Sequence, residues 1–268
     1  MSEREYEIDK RLYEHFYEAE QYFAHKNIVG IFLQGSQNYG LEVPGSDVDT
    51  KLIITPSFEE IAFNKKPIST THVRANDEHI DFKDIRLYIQ TFRKQNLNFL
   101  EILFTKFKIV NPMYRTEWQA LVENREAIAH YNLPQAIKSM RGIAKEKYFA
   151  MEHEYPSKIE TLKKYGYDPK QLHHLLRIQD YLKRYIEGET YENCLRPANP
   201  QYLIDVKLGC YNLEEARIVG KKAIDEIDKM CDEYLKICST EINKDVDALL
   251  DDVQYSIMEN SVKMELLK

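Results

Sequence analysis

The sequence has little glycine and cysteine and no long apolar run. Of its 268 residues only 9 are glycine and 4 are cysteine, whereas 19 are tyrosine. This composition favours a helical, tightly packed chain over a loop-rich scaffold. No apolar run approaches the roughly 18 residues of a membrane span, so we expect no membrane partner. The first stretch, MSEREYEIDKRLYEHF, is charged and lacks the apolar segment of a signal peptide.

The cysteines form no motif that predicts a metal or disulfide framework. All four lie in the last third of the chain, and none belongs to a CxxC pair: Cys194, Cys210, Cys231 and Cys238. Because no secretion signal precedes them, we interpret them as reduced thiols of a cytoplasmic protein. A structural zinc site is disfavoured.

The chain also lacks an excess of positive charge. It carries 37 basic and 44 acidic residues, a net charge of −7. Proteins that bind nucleic acid along its length usually present a basic surface, because neutralising phosphates drives their affinity. Broad, non-specific nucleic-acid binding is therefore disfavoured, whereas a single end held in a local basic pocket remains compatible with the sequence.

The first 112 residues alternate between helical and strand patterns. Between residues 5 and 25, four apolar residues recur at helical spacing: Leu12, Phe16, Ala19 and Phe23. The runs NIVGIFLQG, DTKLIIT and KFKIVNP predict strands, and HVRANDEHIDF predicts either one strand or a strand pair. KDIRLYIQTFRKQ is amphipathic and helical, and NLNFLEILFT continues as a helix after a break. The alternation predicts a small mixed sheet flanked by helices.

From Tyr114 onward the pattern becomes almost entirely helical. Five consecutive segments have helical periodicity, and their ends carry helix signals at Pro134, Asp168–Pro169 and Gly188. We therefore predict an α+β protein in which a small mixed sheet domain, residues 1–112, is followed by a C-terminal helical bundle, residues 113–268.

The stretch GSQNYGLEVPGSDVDTKLIIT concentrates three glycines and two aspartates between two predicted strands. A turn that only connects the strands is one explanation, because glycine, asparagine, proline and aspartate are common in turns. A calcium loop fails on spacing, since DVDTKLI runs directly into apolar sequence. The dinucleotide and P-loop patterns are absent as well, because the stretch has neither GxGxxG nor GK[ST].

A site for phosphates and metal is the third explanation. Asp47 and Asp49 are two residues apart at the start of a predicted strand, which would direct both carboxylates to one face. Such close carboxylates repel unless a cation lies between them, and a pair of Mg²⁺ ions roughly 3.5–4 Å apart has this need for shared carboxylates. Gly35 and Ser36 end the preceding strand, where backbone and hydroxyl groups can approach a phosphate.

These residues also resemble a known family. The pattern G-S-x-x-Y-G-L-x-x-x-x-S-D-x-D, residues 35–49, resembles the signature of the DNA polymerase β-like nucleotidyltransferase superfamily, especially its RNA-ligase-associated (YcgL-like) branch of bacteria and phages. QNLNFLEILFT resembles the N-P-N-x-L-E-x-L segment of that branch, with Leu97 in place of the proline. YDPKQLHHLLRIQDYL resembles its K-x-x-x-H-L-x-R helix. The resemblance extends from Gly35 to Leu182, and the last third adds little.

The resemblance implies a polymerase β-like domain with a third acidic residue on a neighbouring strand. Asp81, in EHIDFKDI, is the match, because Ile80 and Phe82 would then face the core. Three nearby acids remain as alternatives: Asp77, Glu78 and Asp84. In this interpretation Asp47, Asp49 and Asp81 are both the catalytic residues and the ligands of Mg²⁺ or Mn²⁺.

The resemblance also implies a set of residues that contact the nucleotide: Gly35, Ser36, Tyr39, Ser46, Lys170, His174 and Arg177. The last three share one helical face, although a solvated basic stripe is the commoner role of such spacing. His173 is interpreted as a packed or surface residue, and Glu101 as a buried structural partner of a base such as Arg177. Lys145 and Lys147 are weaker candidates.

The expected function is metal-dependent transfer of a nucleoside monophosphate from an NTP to a hydroxyl group, with an RNA end as the expected acceptor. Two alternatives stay open. One is an antitoxin-type protein whose nucleotidyltransferase-like domain binds or nucleotidylates a partner protein. The other is a sensor that binds nucleotide without turnover. The preferred NTP and the oligomeric state are not determined by the sequence.

Overall fold

A computed structural model of the chain describes residues 2–22 and 27–267. The prediction that the first helix continues through Phe23 to about His25 falls outside these residues. Within them, the helix α1 spans Glu3–Tyr22. Its buried side is polar as well as apolar, because His15 lies between Leu12 and Ala19 on that side.

The described chain contains a five-stranded sheet with the strand order β3-β4-β2-β1-β5. The strands are β1 (Ile28–Gln34), β2 (Asp49–Ile54), β3 (Ser69–Val73), β4 (His79–Asp84) and β5 (Lys108–Val110). Strands β2 and β4 pair in parallel, whereas β1 pairs antiparallel with β2 and β5, and β3 pairs antiparallel with β4. The sheet is therefore mixed, as predicted, and HVRANDEHIDF belongs to a strand pair.

Two compact units divide the described chain. The first contains the sheet and comprises residues 1–38, 45–131 and 242–268; the second comprises residues 39–44 and 132–241. The helices of the first unit, besides α1, are α2 (Phe58–Ala62), α3 (Ile85–Arg93), α4 (Leu97–Leu100), α5 (Arg115–Glu123), α6 (Arg125–Ala129) and α13 (Lys244–Leu266). Helix α13 packs against α3 and α5. The domain boundary at residue 112 stays a prediction.

The second unit is helical apart from its short segment 39–44. Its helices are α7 (Leu133–Ala150), α8 (Ile159–Tyr165), α9 (Pro169–Ile186), α10 (Tyr191–Leu195), α11 (Pro200–Lys207) and α12 (Leu213–Tyr234). Helix α9 packs against α7, α11 and α12. The predicted start of α9 is confirmed: the Asp168 side chain accepts a hydrogen bond from the backbone N–H of Lys170, and Pro169 occupies the first turn. The α+β fold with a mostly helical C-terminal region is confirmed.

The core of the first unit lies between α1 and the sheet. Leu52 and Ile54 of β2 and Phe82 of β4 pack there with Leu12 and Ala19 of α1. Because side chains alternate along a strand, the intervening residues of β2 and β4 lie on the opposite side of the sheet. None of the described helices combines the length and the apolar character that crossing a membrane requires.

Candidate active site

The parallel pairing of β2 and β4 places charged residues of both strands on one side of the sheet. Lys51 is paired directly with Asp81, and Thr50 with Ile80. We call the side opposite α1 the carboxylate face; it carries Asp49, Lys51, His79, Asp81 and Lys83. Ile80 and Phe82 are buried toward α1, as predicted for neighbours of a site aspartate.

Asp49 begins β2 and is held by the first residue of β4. Its Oδ1 accepts a hydrogen bond from the backbone N–H of His79 at 2.9 Å, and the Nδ1 of the His79 ring lies 3.2 Å from the same oxygen. Both side chains remain partly exposed. The contact fixes Asp49 at the end of the strand, where the carboxylate face meets the preceding loop.

Asp81 lies between a hydroxyl and an ammonium group. Its Oδ1 accepts a hydrogen bond from the Thr71 hydroxyl at 2.5 Å, and its Oδ2 is 3.6 Å from Lys51 Nζ. Lys51 Nζ also donates to Gln34 Oε1 and lies 4.6 Å from the centre of the Phe99 ring. Burial lowers the pKa of Lys51 to about 8, although the charge of Asp81 opposes that shift.

A second ammonium group faces the same aromatic ring. Lys83 Nζ lies 4.8 Å from the centre of the Phe99 ring and donates a hydrogen bond of 2.7 Å to the Ser69 hydroxyl. Burial lowers its pKa, against the influence of Asp81. The two lysines therefore balance the charges of Asp49 and Asp81 on the carboxylate face.

Tyr88 of α3 is a further polar group, close enough to Asp81 for the charge to act on it. It is fully buried, and its hydroxyl has no hydrogen-bond partner within the described residues. Burial raises its pKa well above the usual range, and the charge of Asp81 adds to the shift. The phenol is thus neutral, and its ring contacts Phe99 edge-on with centroids 5.5 Å apart.

Asp47 precedes β2 rather than belonging to it. It is exposed, and the strand begins only at Asp49. The strand alternation on which the prediction of a common face rests therefore does not apply to Asp47. The intervening residue, Val48, is buried, and its backbone N–H donates to Glu78 Oε1 at 3.0 Å. Glu78 thus holds the backbone between Asp47 and Asp49 in place through this hydrogen bond.

Glu78 lies at the centre of a buried polar network. The sequence did not predict that these residues contact one another. His15 Nε2 lies 2.9 Å from Glu78 Oε2, and Arg74 donates to the same oxygen at 3.0 Å. Arg11 forms an ion pair with Oε1. Burial alone would raise the pKa of Glu78, but the hydrogen bonds from His15, the Val48 N–H, Asn76 and Arg11 together lower it to about 2.

His15 connects this network to β2. Its Nδ1 lies 2.9 Å from the Thr50 hydroxyl, and the ring is fully buried. Burial lowers its pKa, against the hydrogen bond to Glu78, which favours the neutral ring. The available sequence signal is a histidine on the apolar side of α1, at helical spacing with Leu12 and Ala19.

The other two acidic alternatives have structural roles. Asp84 is buried and caps α3, because its Oδ1 accepts from the backbone N–H of Arg86 at 2.9 Å and its Oδ2 accepts from the Arg86 guanidinium at 2.7 Å. Asp77 lies in the turn between β3 and β4 with a φ of 64°. Among these acids only Asp81 lies on the carboxylate face.

Gly35 and Ser36 follow β1 directly. Gly35 has a φ of +83°, and no atom lies within 4 Å of the position where a Cβ would project. The Asn38 N–H donates to the Gly35 carbonyl at 3.0 Å, which closes a 3₁₀ turn over Ser36–Asn38. The left-handed backbone favours glycine here and leaves open space beside it. Ser46 lies in the loop before β2 and is half-buried.

The remaining predicted nucleotide contacts belong to the second unit. The Arg177 guanidinium lies 3.9 Å from the centre of the ring of Tyr39, which is buried. Lys170 is exposed in the first turn of α9. His174 is half-buried, and its pKa is lowered well below the usual range by burial and then by the neighbouring positive charges. Of the predicted nucleotide contacts, the structure thus brings Tyr39 and Arg177 into contact.

The structure also shows the surroundings of the four weaker candidates: His173, Glu101, Lys145 and Lys147. His173 is buried, as one of its predicted roles requires: its Nδ1 contacts the Leu203 carbonyl oxygen at 2.8 Å, and burial lowers its pKa to about 4. Glu101 is buried in the first unit. Lys145 forms an ion pair with Asp228, and Lys147 with Glu146.

The predicted metal ligands fit Mg²⁺ by chemistry but not by arrangement. Carboxylate oxygens are its preferred protein ligands. However, residues 2–22 and 27–267 contain no group of three or more His, Cys, Asp and Glu side chains placed to hold a metal ion. Both oxygens of Asp81 face other groups, and Oδ2 faces an ammonium. A divalent cation between these carboxylates would require Lys51 to move.

The sequence has no match among protein-family models, and none among curated proteins. The resemblance to polymerase β-like nucleotidyltransferases therefore depends on the quoted motifs alone.

Proposed function

We propose that the chain is a nucleotidyltransferase that transfers a nucleoside monophosphate from an NTP to a hydroxyl group. One observation carries the proposal: Asp49 and Asp81 lie on the same side of neighbouring parallel strands, and Asp49 is paired with Gln34, directly before the G-S turn. Two carboxylates on one side of a sheet beside an open glycine turn are suited to a triphosphate and an attacking hydroxyl.

The chain's own residues supply several parts of this reaction. The open space beside Gly35 and the hydroxyl of Ser36 would hold the β- and γ-phosphates and stabilise the departing pyrophosphate. Asp81 would accept the proton of the attacking hydroxyl. Glu78 would act only as a positioning residue, because it holds the Val48 N–H between Asp47 and Asp49.

Mg²⁺ or Mn²⁺ remains the proposed cofactor, with Asp47, Asp49 and Asp81 as its ligands. Because these side chains do not form a metal-holding group in their present arrangement, we assign no step of the reaction to the metal.

The basic residues of α9 are proposed as contacts to the nucleotide. Lys170 and Arg177 can donate to phosphate oxygens, and Arg177 forms a cation–π contact with Tyr39. His174 would act as a neutral donor or acceptor, given its lowered pKa. We expect Arg177→Ala to lose activity without losing its fold, as measured by label transfer and by circular dichroism.

Labelled nucleotides test the proposal directly. Each α-labelled NTP is incubated with the protein, Mg²⁺ or Mn²⁺, and total RNA, and the macromolecule that becomes labelled is identified. We expect label on RNA and release of pyrophosphate, both of which Asp47→Ala abolishes. Asp77→Asn is the matched control, because Asp77 lies in a turn with a φ of 64°, which asparagine tolerates. Transfer that is equal in Asp47→Ala and wild type would refute the assignment.

A nucleotide sensor without turnover is the second candidate. Saturable NTP binding without pyrophosphate release would support the sensor. Label that ends on a co-purified protein would support the antitoxin-type partner instead.

The proposed acceptor is an RNA end in the cytoplasm. A net charge of −7 disfavours contacts along a polymer, so few phosphates would be held. The four cysteines are free thiols, as expected of a reducing compartment.

A further inference from the structure

Lys51 occupies a position on the carboxylate face that no proposed role explains. Its side chain is only 4% exposed, and its Nζ contacts Gln34 Oε1, lies 3.6 Å from Asp81 Oδ2 and faces the Phe99 ring at 4.6 Å. Burying an ammonium group is costly unless it is paired. The carboxylate of Asp81 and the amide oxygen of Gln34 are the groups that compensate this cost.

The same carboxylate is a proposed ligand of the divalent cation. An ion bound to Asp81 would lie beside the buried Lys51 ammonium and be repelled by it. Asp49 is also close enough for its charge to act on Lys51. One ammonium group therefore faces the carboxylates that a metal would need.

We propose that Lys51 is the built-in counter-cation of Asp81, and that a divalent cation binds this face only when Lys51 Nζ leaves the carboxylate. The cation can arrive alone or on the triphosphate of an NTP. This inference depends on the proposed function for the identity of the carboxylates as metal ligands. It adds a residue that controls metal binding and lies outside the D-x-D motif.

Lys83 offers a matched comparison within the same face. It too is an ammonium over the Phe99 ring, at 4.8 Å, but its hydrogen bond goes to the Ser69 hydroxyl. Removing its charge leaves the contact between Lys51 and Asp81 in place. Comparing variants of the two lysines therefore distinguishes an effect specific to Lys51 from the effect of losing any positive charge on this face.

Binding of Mn²⁺ without nucleotide tests the inference. Free Mn²⁺ is measured by electron paramagnetic resonance while the full-length protein is titrated. We expect Lys51→Met to bind Mn²⁺ at least about tenfold more tightly than wild type, the lower end of what one nearby charge does to an ionisable group. Lys83→Met should gain clearly less. Adding Asp81→Asn to Lys51→Met should remove the gain.

Two further variants cover a failure of Lys51→Met to fold. Lys51→Gln is neutral and can still hydrogen-bond to Gln34, so it should gain affinity in the same direction. Lys51→Arg keeps the charge and should show no gain. Near-ultraviolet circular dichroism checks the fold of each. Equal or weaker Mn²⁺ binding by the folded neutral variants, or no binding by any protein, would overturn the inference.

The experiments distinguish a failure of the inference about Lys51 from a failure of the proposed transferase function. A neutral variant that gains Mn²⁺ affinity in a protein that transfers no label would support the role of Lys51 and refute the transferase. Label transfer by wild type without any gain of affinity in the neutral variants would do the reverse.

Discussion

The two sides of β2 and β4 consist of alternating residues of the same strands, yet they differ in almost every property. On the α1 side, Leu52 and Phe82 are 0% and 1% exposed and belong to the apolar core. On the carboxylate face, Asp81 is one-third exposed, and Lys51 balances it. The α1 side stabilises the fold because its apolar side chains are buried. On the carboxylate face, side chains of opposite charge are paired and partly exposed to solvent. Substitutions on the carboxylate face should therefore lower activity, whereas substitutions on the α1 side should lower stability.

The largest expected effect belongs to the carboxylate face. Asp49→Asn keeps an oxygen that can accept from the His79 N–H but removes the negative charge. We expect nucleotide transfer to fall by about a hundredfold or more, while the melting temperature changes little. Transfer rates and thermal melts of both proteins measure this. A large loss of stability would show that Asp49 serves the fold rather than the reaction.

Leu52→Ala tests the α1 side. Leu52 is fully buried against α1, so removing its side chain should lower the free energy of unfolding by about 3 kcal/mol. Urea denaturation measures the loss. At low temperature the folded fraction should keep its transfer activity. Val73→Ala is the control, because Val73 is 53% exposed on β3; a similar loss there would contradict the explanation by burial.

Glu78→Gln tests the buried polar network around Glu78, which includes His15 and the Val48 N–H. Because folding lowers the pKa of Glu78 from about 4.5 to about 2, the unfolded chain binds more protons between these values. The carboxylate thus adds about 3 kcal/mol of stability above pH 4.5, which is lost as the pH falls toward 2. The lowered pKa of His15 acts in the same direction, starting near its ordinary value of 6.5.

The measurement is the difference in unfolding free energy between wild type and Glu78→Gln as a function of pH. We expect the variant to be less stable at pH 7, and the difference to shrink on acidification. A difference that is constant from pH 7 to pH 3 would show that the charge of Glu78 contributes nothing.

The smallest expected effect is the salt dependence of RNA binding. If only a terminal hydroxyl is held, about one to three phosphates are neutralised, and each contributes a slope of roughly 0.7–0.9 in log K against log salt. Titrations of an RNA oligonucleotide at several salt concentrations give this slope. A steep slope would mean that the polymer is held along its length, which the net charge of −7 disfavours.

Local patterns were sufficient to predict most elements. The run NIVGIFLQG became β1 and DTKLIIT became β2, because short β-branched and aromatic runs need burial on a sheet. Helix α3 begins at Ile85, two residues later than predicted, because Asp84 ends β4 and caps the helix. The short helices α2, α8, α10 and α11 were missed, since each has fewer than nine residues and little periodicity.

The candidate site could be predicted only where its residues are close in sequence. The G-S turn and the D-x-D pair lie within 15 residues of one another, so one motif identified them. The partners of Glu78 come from α1, from the loop before β2 and from the β3–β4 turn. No local pattern relates residues so far apart.

The order and type of most elements follow from local sequence, as do the glycine at the left-handed position 35 and the alternation of apolar and polar residues on β2 and β4. The parallel pairing of β2 and β4 with Lys51 beside Asp81 and the support of Val48 by buried Glu78 depend on how the chain folds. The difference comes from the range of the forces involved. Backbone preferences and periodicity act over a few residues, whereas the pairing of a buried charge depends on which distant groups folding brings within a few ångströms of it.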